Sequence, residues 1–145
     1  MKNSFLKLKI HIVVLMCFSI SLGQSNLEIN TITTEDGLHF RHVNTITQDN
    51  DGFMWFGTPQ GITKYDGNIF KVFSNSRTNP NIIPNEDIMK FQYQSSTHTL
   101  WYIANHKLFA LDLQTEALIP VEGLNESLNG EVLDIVLDQN NNLWL

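Results

Sequence analysis

Apolar and polar positions follow one frame three times along the 145-residue chain. Asn68 to Phe73 (Asn-Ile-Phe-Lys-Val-Phe) alternates with a period of two, which predicts a strand with one buried face. Before it come Val43 to Gln48, an Asp51-Gly52 turn, the aromatic run Phe53-Met54-Trp55-Phe56, a reversal bracketed by Gly57 and Gly61, and an Asp66-Gly67 turn. Asp-Gly supplies the positive-φ positions of a tight hairpin, and the aromatic run is strand-prone. The pattern therefore predicts four short antiparallel strands. It begins again at Ile88 to Tyr93, with a turn at Ser95-Ser96-Thr97-His98 one residue longer, then strands at Lys107 to Leu113 and Glu116 to Val121. It begins a third time at Val132 to Asp138, followed by an Asn140-Asn141-Asn142 turn and Leu143-Trp144-Leu145. A loop is expected over Ser74 to Pro84, which carries Pro80 and Pro84. Leu27 to Thr34 reads as a strand without a nearby partner, ahead of the turn Glu35-Asp36-Gly37-Leu38.

Trp55, Trp101 and Trp144 mark the frame, 46 and 43 residues apart. A period in the forties with several strands per repeat is the signature of propeller blades. The expected fold is all-β: an incomplete β-propeller of about two four-stranded blades plus the start of a third. The repeats span about residues 38–82, 83–127 and 128–145. A ring needs about four to eight blades, so closure is expected to depend on strands beyond Leu145.

Composition changes the picture mainly at the N-terminus. Lys2, Lys7 and Lys9 precede an apolar run from Ile10 to Leu22, with small residues at Ser21 and Gly23. That order is a secretory signal peptide over residues 1–23, leaving 24–145 as the mature segment. An uncleaved signal anchor is the alternative. A lipoprotein signal is excluded at Cys17, because Met16 is bulky and the apolar run continues past the cysteine. With Cys17 removed, the mature segment holds no cysteine and no thiol chemistry. The three lysines are all the charge of the first 23 residues, which leaves 6 basic against 15 acidic residues. That balance argues against nucleic-acid contact. The expected location is across a membrane, in a periplasm or outside the cell.

Candidate chemistry is sparse. Asp49-Asn50-Asp51-Gly52 resembles the start of a calcium loop, but Phe53 and Gln60 stand where oxygen ligands belong, so no metal and no cofactor is expected. No Gly-x-Ser-x-Gly elbow and no His-x-x-x-His helix occurs, and most carboxylates occupy repeat-equivalent turns. His39, His42, His98 and His106 fall at different phases of the repeat. Asn125-Glu126-Ser127 matches a glycosylation sequon and is read as incidental. Trp55, Trp101 and Trp144 are expected to form the structural core between repeats rather than sugar-stacking platforms. Asn85 and Asn129 each lie three residues before the first strand of their repeat, where a propeller chain approaches the mouth of the central channel. Both could instead cap turns. In the first repeat the same stretch carries Arg41 and His42, donors suited to an anionic or hydroxyl-rich ligand.

The Glu-Asp-Gly-Leu turn at 35–38, Val43 to Asp49, Gly52 to Thr58, Gly61-Ile62, Lys64 to Gly67 and Phe70 together resemble the two-component-regulator propeller repeat. The resemblance covers roughly Leu27 to Leu145. The second repeat departs from it, with Tyr102-Ile103-Ala104 in place of Phe-Gly-Thr and no Asp-Gly turn. The resemblance implies the periplasmic sensor region of a hybrid histidine kinase, a type common in Bacteroidetes, with an N-terminal propeller that senses an oligosaccharide without chemistry. It further implies a homodimeric ectodomain, membrane attachment through domains beyond residue 145, and no kinase activity in this segment. The competing expectations are a secreted propeller lyase or glycosidase and a structural or adhesive propeller.

Overall fold

The computed structural model describes residues 29–73, 87–128 and 130–145. The signal peptide expected over residues 1–23, Asn85 and Asn129 lie outside the described residues. The chain divides into two units, Met1–Thr31 and Ile32–Leu145. The second holds all the described secondary structure.

Its first sheet is a four-stranded antiparallel meander: β1 (Thr45–Gln48), β2 (Met54–Thr58), β3 (Gly61–Tyr65) and β4 (Phe70–Phe73). The second repeats it with β5 (Ile88–Gln94), β6 (Thr99–Ala104), β7 (Lys107–Asp112) and β8 (Ala117–Ile119). A short helix α1 (Glu122–Ser127) follows, then a two-stranded sheet of β9 (Val136–Leu137) and β10 (Leu143–Trp144). The all-β expectation and the two four-stranded repeats hold.

Register explains the placement of the tryptophans. Trp55 pairs with Thr47 and Lys64, while Trp101 pairs with Gln92 and Ala110. Side chains alternate between the faces of a strand, so both indoles share the face turned toward the next sheet. Trp55 is wholly buried against Ile88, Phe91, Leu100 and Tyr102 of the second sheet. Trp101 is half-buried against Ile103, Leu108, Val132 and Ile135. Trp144 departs from the core expectation: it is 63% exposed, because no further sheet covers it among the described residues. Gly57 lies at a close approach within the first contact. A Cβ there would meet Thr45 Cγ2 at 2.5 Å and Ile88 Cγ2 at 2.7 Å.

The turns come from carboxylates. Asp49 Oδ1 accepts the N–H groups of Asp51 and Phe53, and its Oδ2 accepts the Trp55 indole N–H at 2.7 Å. Asp138 does the same for Asn140, Asn142 and Trp144, with the indole at 3.1 Å. Gln94 replaces the aspartate across the longer second turn and accepts from Trp101 at 2.9 Å. Gly52, His98 and Asn141 supply the positive φ in the three turns. Asp66 accepts from Asn68 and Ile69, so β4 begins only at Phe70. Asp112 accepts from Gln114 and Thr115, preserving that turn without its glycine.

Three elements differ from expectation. Residues 29–33 form no ladder among the described residues. Thr33 instead caps a 3-10 turn, Thr34–Asp36, through reciprocal bonds with Asp36. The strand expected over Glu116 to Val121 shrinks to Ala117–Ile119, ended by Pro120, which cannot donate to a ladder. Helix α1 then completes the edge: Asn125 accepts from Leu108 N–H at 3.0 Å and donates to Leu108 C=O at 2.8 Å, in place of a strand neighbour.

Candidate functional site

Strands β1 and β5 begin at the same end of the assembly, where the β6–β7 hairpin also turns. This rim gathers the segments leading into each repeat. Asn44 anchors the first. Its backbone N–H donates to Gly57 C=O at 2.9 Å, and its amide donates to Asp87 Oδ1 at 2.7 Å and Ile88 C=O at 2.9 Å. Thr45 Oγ1 accepts the Phe91 N–H at 3.2 Å. Side chains of the first sheet thus satisfy backbone groups on the innermost strand of the second. At the next junction Lys90 pairs with Asp134. The β6–β7 turn, with Asn105 and His106 both at positive φ, accepts the Val132 N–H on His106 C=O at 2.8 Å. His106 Nδ1 stands 4.0 Å from Glu131.

Arg41 and His42 lie three and two residues before Asn44, and both are exposed. Their side chains are therefore free to meet solvent at the rim. Asn85 and Asn129 lie outside the described residues. Beside the third lead-in is a cleft of about 400 Å³, walled by Leu128, Gly130 to Asp134 and Leu145. Asp134 is held below the ordinary carboxylate range by the Lys90 ammonium and by its own bond from Ile135 N–H.

Asp49 of the first turn is occupied structurally. Both oxygens of Asp49 face N–H donors, which fits the turn rather than a cation loop. Asn125 commits its amide to Leu108, so the sequon nitrogen is engaged in the fold. Asn44, Asp87 and the His106–Glu131 contact were missed from the sequence. Their signal was the repeat itself: Asn44 and Ile88 are 44 residues apart and Thr45 and Phe91 are 46 apart, near one period.

The outer part of the first contact holds a second polar group. Lys64 on β3 and Lys71 on β4 are direct cross-strand partners. Both ammonium groups meet the carboxylate of Glu116, Lys64 at 3.3 Å. Glu116 lies in the turn before β8 at φ +55°.

Residues 37–60 match the family described as the two component regulator propeller. Over 61 residues the chain is 36% identical to Histidine kinase P4 of Formosa agariphila, an overlap of 42% of this chain and 4% of that protein. In fold it is similar to the extracellular domain of the hybrid two component system BT3049 from B. thetaiotaomicron. The TM-score is 0.66 at 23% identity, covering 79% of this chain and 17% of that one. The chain thus spans a small part of the length of either relative.

Proposed function

For a chain that carries the two component regulator propeller repeat, folded as stacked propeller blades, we propose a role as part of the ligand-sensing region of a two-component signalling protein, outside the cytoplasm. The observation that carries this is the family match over residues 37–60. It falls on the β1–β2 hairpin, whose Asp49–Trp55 bond and inter-sheet packing recur along the chain. In this reading the segment binds and does no chemistry. The ligand is a hydroxyl-rich molecule, a glycan fragment, met at the rim by Arg41 and His42. A bound ligand shifts the population between two arrangements of a homodimeric ectodomain, and membrane attachment and catalysis belong to other parts of the protein.

Calorimetry on the ectodomain with candidate oligosaccharides tests the reading. Arg41→Ala and His42→Ala are expected to weaken binding about tenfold or more, as loss of hydrogen bonds to a bound ligand does. Unchanged affinity in both variants would remove the rim site.

A further inference from the structure

The first inter-blade contact carries a charge arrangement that the repeat does not require. Trp55, Lys64 and Lys71 form a row across β2, β3 and β4. The equivalent row of the second blade is Trp101, Ala110 and Ile119. Two lysines directly opposite each other repel and weaken a strand pair. Here both rest over aromatic rings: Lys64 Nζ lies 4.0 Å from the Phe53 centroid and 5.1 Å from the Trp55 ring, and Lys71 Nζ lies 5.0 Å from the Phe73 centroid. An aromatic floor favours a cation but does not relieve the repulsion between two. A shared anion does.

That anion is supplied by Glu116 of the neighbouring blade, one oxygen to each lysine. The residue occupies a left-handed backbone conformation that favours glycine. The pairing itself pulls its carboxylate below the ordinary range against the effect of desolvation. The left-handed conformation closes the β7–β8 turn between Asp112 and Ala117, and the turn carries the Glu116 carboxylate to the two lysines of the first blade. Lys71 is 58% exposed, so the pair opens to solvent on one side.

We propose that Lys64 and Lys71 form an oxyanion-binding pair that Glu116 fills as an internal ligand. A sulfate- or carboxylate-bearing molecule would displace Glu116 and occupy the contact between the first two blades. The proposal rests on this contact alone and is independent of the rim site.

The test uses the full chain, titrated with inorganic sulfate at constant ionic strength and followed by NMR shifts of the amides of residues 63–73. Glu116→Gln and Glu116→Gly vacate the pair. The glycine variant also removes the backbone penalty, so it guards against loss of fold in the other. Both are expected to bind sulfate about tenfold tighter than the unaltered protein, since a competing occupant couples at that order. Lys71→Met in the Glu116→Gly background is expected to abolish the saturable response. Equal sulfate responses with and without Glu116 would overturn the proposal, as would binding that survives Lys71→Met. Failure of both Glu116 variants to fold would also overturn it, making the carboxylate a structural pin. Parallel titration with acetate distinguishes the ligand classes. Saturation by acetate as well supports a carboxylate-bearing ligand, and saturation by sulfate alone supports a sulfated one.

Discussion

The contact between the first and second blades and the contact between the second blade and the third sheet are built on the same frame, with different completeness. The first buries ten residues, Trp55 at the centre with Ile62, Phe73, Phe91 and Tyr102 among the others. It is fastened at the inner end by Asn44 and Thr45 and at the outer end by Lys64, Lys71 and Glu116. The second buries four residues, Ile103, Leu108, Val132 and Ile135, with Trp101 half-covered. Its polar fastenings include Lys90–Asp134, a backbone bond from Val132 to His106, the His106–Glu131 contact and a bond from the Gln94 amide to Asn141 C=O. Position 44 offers an amide that reaches backbone groups. The corresponding Met89 and Leu133 do not, and Leu133 is 69% exposed. The indole marks where a blade docks, but its burial depends on how much of the next blade is there to receive it.

Truncating the tryptophans sharpens this most. Trp55→Ala is expected to destabilise the folded chain by about 3–5 kcal/mol, the range for large aromatic-to-alanine changes in a core. Trp144→Ala is expected to stay within about 0.5 kcal/mol, as for exposed side chains. Urea unfolding read by far-UV circular dichroism compares them, and equal losses would break the distinction between the contacts. Next in size is Gly57→Ala. Its new methyl meets Thr45 and Ile88 below van der Waals distance, and overpacking of this kind costs about 1–3 kcal/mol. The same denaturant series checks it. Asn125→Ala is expected to lose about 1–2 kcal/mol by leaving the Leu108 N–H and C=O without their side-chain partner. Asn125→Asp keeps the acceptor but sets a carboxylate against the Leu108 C=O, and is expected to lose at least as much.

The smallest expected effect is a pH response confined to the third sheet. Asp138 is held at about 2 by the Asn142 side chain and backbone N–H groups and the Trp144 indole. Its folded pKa is below the unfolded one, so its contribution is complete above the ordinary carboxylate range, near 4. It is lost as pH falls from there through about 2. Indole shifts of Trp144 are expected to titrate in that window and to lose the transition in Asp138→Asn.

Much of this architecture was legible because it is periodic. Four strands per repeat follow from alternating apolar residues and turn chemistry at fixed offsets, and both four-stranded sheets match. What was not legible came from contacts between repeats or from local capping. Thr33 caps a 3-10 turn that begins at Thr34, the last residue of the expected strand, and runs into the turn expected at Glu35 to Leu38. The side chain of Asn125 substitutes for a strand that Pro120 cuts short. Glu116 looked like the start of a strand, yet its place between two lysines depends on a register that only three dimensions display. At the rim, Arg41 and His42 were legible as exposed donors, whereas Asn44 was hidden by its position inside a strand motif.

The most direct test is hydrogen exchange at the three indole N–H groups, measured by NMR in one sample. Trp55 and Trp144 donate to turn carboxylates, Asp49 and Asp138, and Trp101 to the neutral amide of Gln94, so the first and third indoles share one kind of bond and differ in packing. Blades completed in sequence predict protection that falls from Trp55 through Trp101 to Trp144. Equal protection at all three, or stronger protection at Trp144 than at Trp55, would contradict the account.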